Sequence, residues 1–98
     1  MSVQPVGMSG WQKRVIAERV RRGWPSATDI GKTVHGLAEE VGEFARALRK
    51  KDRDGQIDAL GDIIVFCLGG LEILGTDANV VIDTILNDNE SRPIRDGH

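Results

Sequence analysis

Five carboxylates in this 98-residue sequence stand at spacings that can do chemistry: Glu39, Glu40 and Glu43 in one stretch, then Asp58 and Asp62 in the next. On a helix advancing about 100° per residue, with Lys32 at zero, Glu39 projects at about −20°, Glu43 at about +20° and Glu40 at about +80°. The opposite arc carries Ile30, Val34, Leu37, Val41, Phe44 and Leu48. One face is apolar and the other collects three carboxylates beneath a lysine. Taken alone, this is a solvated acidic face, because like charges three or four apart repel by only about a few tenths of a kcal/mol.

Asp62 changes the balance. It opens the run Ile63-Ile64-Val65-Phe66-Cys67-Leu68, on a helix apolar nearly all round. Such a helix is buried on most sides. An aspartate at its centre is costly unless it is paired or holds a cation. Asp58 lies one turn earlier on the same face. Glu43 stands roughly 10 residues before the centre of the intervening turn and Asp62 roughly 9 after it, so an antiparallel hairpin brings them to nearly the same height. Oxygen donors without His or Cys suit a hard cation, Mg²⁺ or Mn²⁺. Gly36, between Lys32 and the acids, leaves room for a group to approach the backbone. The string Asp52-Arg53-Asp54-Gly55 is not an EF-hand loop. With Gly55 at the sixth loop position, Lys50 and Gly61 fall where the end ligands belong.

The elements that must position these residues read as helices. A first runs from Gly10 to Arg22 behind Ser9 and is stopped by Gly23 and Pro25. A second starts near Thr28, capped by Ser26 or Thr28 with Asp29 in its first turn, and runs to about Lys51. Asp52 to Gly55 reads as a turn. A third spans about Gln56 to Leu74, and a fourth runs from a Thr76 or Asp77 cap to about Asn89. No stretch alternates with period two, so the class is all-α. Residues 1–98 read as one domain, with a loose arm over 1–9 and a flexible tail over 93–98. The third helix is too apolar for the other helices of one chain to cover. The hairpin is therefore expected to pair with a second subunit into a four-helix bundle.

The segment GLAEEVGEFARAL, followed by IDALGDIIVFCLGGLEILGTD, resembles the MazG-like all-α nucleoside triphosphate pyrophosphohydrolases. The pattern of that family is Glu-Glu-x-x-Glu, a gap, then Glu-x-x-Asp. The first half is intact as Glu39, Glu40 and Glu43. In the second, Ala59 stands where the family carries a glutamate, and Asp62 is kept. The resemblance implies that Glu40, Glu43 and Asp62 hold the metal, with neighbouring Asp58 in place of the missing ligand, and that Glu39 orients or deprotonates the attacking water. It implies cleavage between the α- and β-phosphates of a nucleoside triphosphate, a (d)NTP or a non-canonical nucleotide, to the monophosphate and pyrophosphate. It also implies a homodimer or a dimer of dimers. Two alternatives stay open: a phosphoribosyl-ATP pyrophosphohydrolase-like enzyme, and a non-catalytic helical dimer that binds nucleotide or protein.

Four further residues are candidates for substrate binding. Lys32 lies about two turns before the acids on their face and can meet a phosphate. Trp24, in the loop before the second helix, can stack on a base. Asn89 and Arg92 occupy a region where related proteins carry an Asn and a basic residue near the nucleotide. Trp11 and Cys67 read as packing residues, and His35 as satisfied or solvent-facing.

Composition bounds the rest. A net charge of −2 argues against a nucleic-acid binder. No apolar run approaches the roughly 20 residues of a membrane span. One cysteine makes no internal disulfide. The start of the chain lacks a basic-then-apolar leader, so a cytoplasmic location is expected.

Overall fold

The structure, a computed structural model, describes residues 7–94. Four α-helices and one 3₁₀ turn make up the described chain, which contains no strand: α1 Gly7–Arg22, the turn Pro25–Ala27, α2 Ile30–Arg49, α3 Arg53–Ile73 and α4 Ala78–Ser91. The all-α expectation holds. Residues 1–6 and 95–98 of the expected arm and tail lie outside the described residues. Gly7 to Ser9, assigned to the arm, belong instead to α1.

The boundaries moved because aspartates took the caps. Asp29, not Ser26 or Thr28, caps α2: its side chain accepts from the backbone N–H groups of Gly31 and Lys32. Asp52 caps α3 by accepting from the Gly55 N–H at 3.0 Å. The expected turn Asp52–Gly55 is therefore a cap and the first turn of a helix. Asp77 caps α4.

Helices α1, α2 and α3 share one kind of C-terminal stop. After α2 the Asp52 N–H donates to the Ala47 carbonyl and the Lys51 N–H to the Leu48 carbonyl, with Lys51 at φ 56°. Gly23 and Gly75 take the same left-handed position after α1 and α3, at φ 70° and 73°. Only Lys51 bears a side chain there.

Helices α2 and α3 form the closest pair, an antiparallel hairpin joined by Lys50, Lys51 and Asp52. Small residues let the two backbones approach. Ala47 and Ala59 are buried in the seam, and Gly36 faces the Phe66 ring across it. A Cβ on Gly36 would fall well inside van der Waals distance of that ring. The room Gly36 was expected to leave for an approaching group is thus filled by Phe66.

Helix α1 packs on the later part of α3. Arg19 is buried and lies over Phe66, its guanidinium carbon 5.0 Å from the ring centroid. It fits because Gly69 has no Cβ at that point. Gln12, fully buried, clamps the turn into α4 from both sides: its amide nitrogen donates to the Thr76 carbonyl at 2.7 Å, and its amide oxygen accepts from the Ala78 N–H at 2.7 Å.

The core of a single copy is thin. Its buried apolar residues are Ala27, Ala47, Ala59, Leu68 and Ala78. The large apolar residues sit largely outside: Val34, Val41 and Leu48 of α2 and Ile57, Leu60 and Ile64 of α3 are about half exposed. No helix among the described residues is long and apolar enough to cross a membrane.

Candidate functional site

The two hairpin helices place their acids along one cleft of about 320 Å³. Glu40 and Glu43 line it from α2, and Asp58 and Asp62 line it from α3. The i, i+3 and i, i+4 spacings put each pair on one helical face, and the antiparallel seam turns the faces toward each other. Ala59 forms part of the wall. It is only 3% exposed, so the family's usual glutamate position is occupied by a methyl group pressed into the seam.

The Glu40 carboxyl is held above the usual carboxylate range. Partial burial raises its affinity for a proton, and the Asp62 charge and side chain add to this, with smaller contributions from Glu43 and Asp58. Glu43 is turned aside: its Oε1 accepts from the Arg46 guanidinium at 2.5 Å. Among the described residues no three His, Cys, Asp or Glu side chains are gathered tightly enough to hold a metal ion. The acids flank the cleft rather than converge on a point. In kind, the donor set fits a hard divalent cation: four carboxylates, no nitrogen and no sulfur.

The other candidates lie elsewhere. Glu39 is exposed on α2 and does not line the cleft. One residue along a helix is a turn of about 100°, and Glu40 takes the inward direction. Lys32 borders a separate shallow depression with Asp29 and His35. Trp24 lines an apolar groove between α1 and α3, with Trp11, Ile64, Val65 and Leu68, and the Arg22 guanidinium lies over its ring. The cleft and this groove lie on different faces of α3, with Asp62 lining one and Gly61, about 100° round the helix, lining the other. Arg92 is held on Asp88, and its backbone N–H donates to the Asn89 carbonyl at the end of α4. Neither Asn89 nor Arg92 borders the cleft.

Three cleft residues escaped the sequence reading. Arg46, Lys50 and Asp52 line its end nearest the α2–α3 turn. Lys50 reads in sequence as a partner for the helix dipole and Asp52 as a turn residue. The available signal was spacing: Glu43, Arg46 and Lys50 follow at steps of three and four, the repeat of a single helical face.

A family model described as phosphoribosyl-ATP pyrophosphohydrolase matches residues 14–89, from within α1 to near the end of α4. No curated protein and no solved structure gives a significant match. The family match supports the wider superfamily of MazG-like all-α pyrophosphatases and does not single out the MazG family itself. Its members are pyrophosphohydrolases, which hydrolyse phosphoric anhydride bonds, and such enzymes generally use a divalent metal. With the match covering most of its length, the chain belongs to the phosphoribosyl-ATP pyrophosphohydrolase family.

Proposed function

We propose that the protein is a Mg²⁺-dependent nucleoside triphosphate pyrophosphohydrolase, with Mn²⁺ able to substitute, that splits a (d)NTP or a non-canonical nucleotide between its α- and β-phosphates. One observation carries this reading: Glu40 and Glu43 of α2 face Asp58 and Asp62 of α3 across a single cleft. These four would hold the ion. The ion would neutralise charge on phosphate oxygens and lower the pKa of a bound water. Glu39 is the proposed group that would orient that water, although its side chain does not line the cleft in a single chain. Lys32, Trp24, Asn89 and Arg92 are the proposed substrate contacts. Trp24 would act from the apolar groove between α1 and α3.

The site is proposed to work in a homodimer or a dimer of dimers. The half-exposed large apolar residues of the hairpin support this, since one copy leaves an apolar surface of α2 and α3 uncovered. A second copy laid on it completes a four-helix bundle. Asn89 and Arg92, on the free end of α4, would then serve a neighbouring copy's cleft.

A second reading, hydrolysis of phosphoribosyl-ATP, is favoured by the family match. Pyrophosphate release from a nucleotide panel that includes phosphoribosyl-ATP, with and without Mg²⁺, separates the two. Turnover of phosphoribosyl-ATP alone would establish the second. No turnover of any nucleotide would refute both and leave a binding protein. Asp62→Asn and Glu43→Gln, made singly, are expected to abolish release with helical content unchanged.

A further inference from the structure

Arg46 and Lys50 stand one helical turn apart on α2 and line the cleft at the end nearest the turn. Their charges suit the negative end of the α2 dipole, a need that any cation in the last turn, such as Arg49, also meets. Among the described residues Lys50 enters no ion pair. Arg46 pairs with Glu43, and both side chains are about half exposed. Exposed pairs of this kind contribute little stability and exchange readily for a better partner.

The order of groups along the cleft gives these cations a direction. Glu40 lies next to Asp62 at the inner end. Ala47 abuts Gly55 further out, and Arg46, Lys50 and Asp52 lie at that outer level. A polyphosphate entering a cleft walled by five carboxylates is repelled except where a bound cation or a basic side chain meets it. Among the described residues, the only basic side chains lining this cleft are Arg46 and Lys50.

We propose that Arg46 and Lys50 are the phosphate-binding arm of the cleft, and that they hold the pyrophosphate end of the substrate. The proposal rests on the hydrolytic reading above. It fixes the substrate's orientation, with the leaving group toward the α2–α3 turn and the nucleoside toward the end where Glu40 lies next to Asp62. A water oxygen bonds to the α-phosphorus and loses a proton to a carboxylate. The bond from that phosphorus to the bridging oxygen breaks, and its electron pair departs with pyrophosphate. The arm meets that added negative charge. Arg46 suits it through its forked donors, and Lys50 as a mobile point charge.

The test compares wild type with Arg46→Gln, Lys50→Gln and Arg46→Lys by steady-state kinetics. Inhibition by inorganic pyrophosphate and by nucleoside monophosphate is measured separately. The expected result is a KM for the triphosphate raised at least tenfold in each Gln variant. Pyrophosphate inhibition should weaken by a similar factor, monophosphate inhibition should hold, and Arg46→Lys should recover part of the loss. The metal concentration for half activation should not move, which separates the arm from a disturbance of Glu43. Unchanged pyrophosphate inhibition in an active enzyme overturns the arm and leaves the proposed function standing. If wild type hydrolyses no nucleotide, the function fails first. Calorimetric binding of inorganic pyrophosphate with Mg²⁺ then decides the arm: loss in the Gln variants supports it, and equal binding in all forms overturns it.

Discussion

The contact between Gly36 and Phe66 supports a prediction whose size can be worked out in advance. Gly36→Ala adds one methyl group to α2. On an open helix surface that change stabilises by about 1 kcal/mol. Gly42 is such a site, on the same helix, with nothing within 4 Å of a Cβ built there. At Gly36 the methyl would meet the Phe66 ring well below the 3.4 Å at which ordinary contact begins. The ring cannot simply swing clear, because Arg19 lies over it. The hairpin must part by about 1 Å or the ring must leave its rotamer, a kind of overpacking that costs about 1–3 kcal/mol. Both variants carry the same helix-propensity gain, so their difference isolates the contact. Gly36→Ala is therefore expected to be about 1–3 kcal/mol less stable than Gly42→Ala. Urea unfolding at matched protein concentration, followed by far-ultraviolet circular dichroism, reads this difference. Gly36 is one turn before Glu40 and Phe66 one turn past Asp62, so the same wedge opens the inner end of the cleft and should lower pyrophosphate release. Equal stability of the two variants would refute the close seam and, with it, the level at which the acids face each other.

Other perturbations probe other parts. Arg21 and then Arg22 hold the exposed Glu18 carboxyl down to about 2 by hydrogen bonds, so its contribution to stability is full above its ordinary value of 4.5 and is lost as pH falls toward about 2. Glu18→Gln should flatten that part of the acid-unfolding profile, and added salt should shrink the effect in wild type. Lys51→Gly relieves a side chain at φ 56° and should stabilise by up to about 1 kcal/mol in denaturant unfolding. Ala59→Glu restores the family's acid inside the seam. It should lower stability in chelator by about 1–3 kcal/mol, and Mg²⁺ should raise its melting temperature more than that of wild type. Ile64→Glu puts a charge on the half-exposed apolar face of α3 and should lower the mass measured by light scattering.

The hairpin was legible in the sequence because its signals are local. The apolar arc of α2, the all-round apolar character of α3 and the short break between them dictate two long helices lying together. The facing of Glu40 and Glu43 toward Asp58 and Asp62 follows from helical spacing and rise alone. Asp29 and Asp52 were harder to place, because a Ser, Thr or Asp several residues from a helix start is an equally good cap until tertiary packing selects one. Gly36 was misjudged for a similar reason. Its lack of a side chain is visible in sequence, but what fills the space is the ring of a residue 30 positions away. Arg19 and Gln12 are polar residues of α1 whose burial no local signal shows: Arg19 is covered by Phe66 and Gly69, and Gln12 by Thr76 and Ala78.

The brevity of the link between α2 and α3 constrains how this protein can evolve. With Lys50, Lys51 and Asp52 as the whole connection, one inserted residue carried into α3 would rotate it by about 100° and lift it about 1.5 Å relative to α2. Asp58 and Asp62 would swing off the cleft together, and Phe66 would lose its berth against Gly36. Length variants among descendants should therefore be purged at this corner and survive between Gly23 and Asp29, where the chain crosses from α1 to α2 without setting the rotation of either acidic helix.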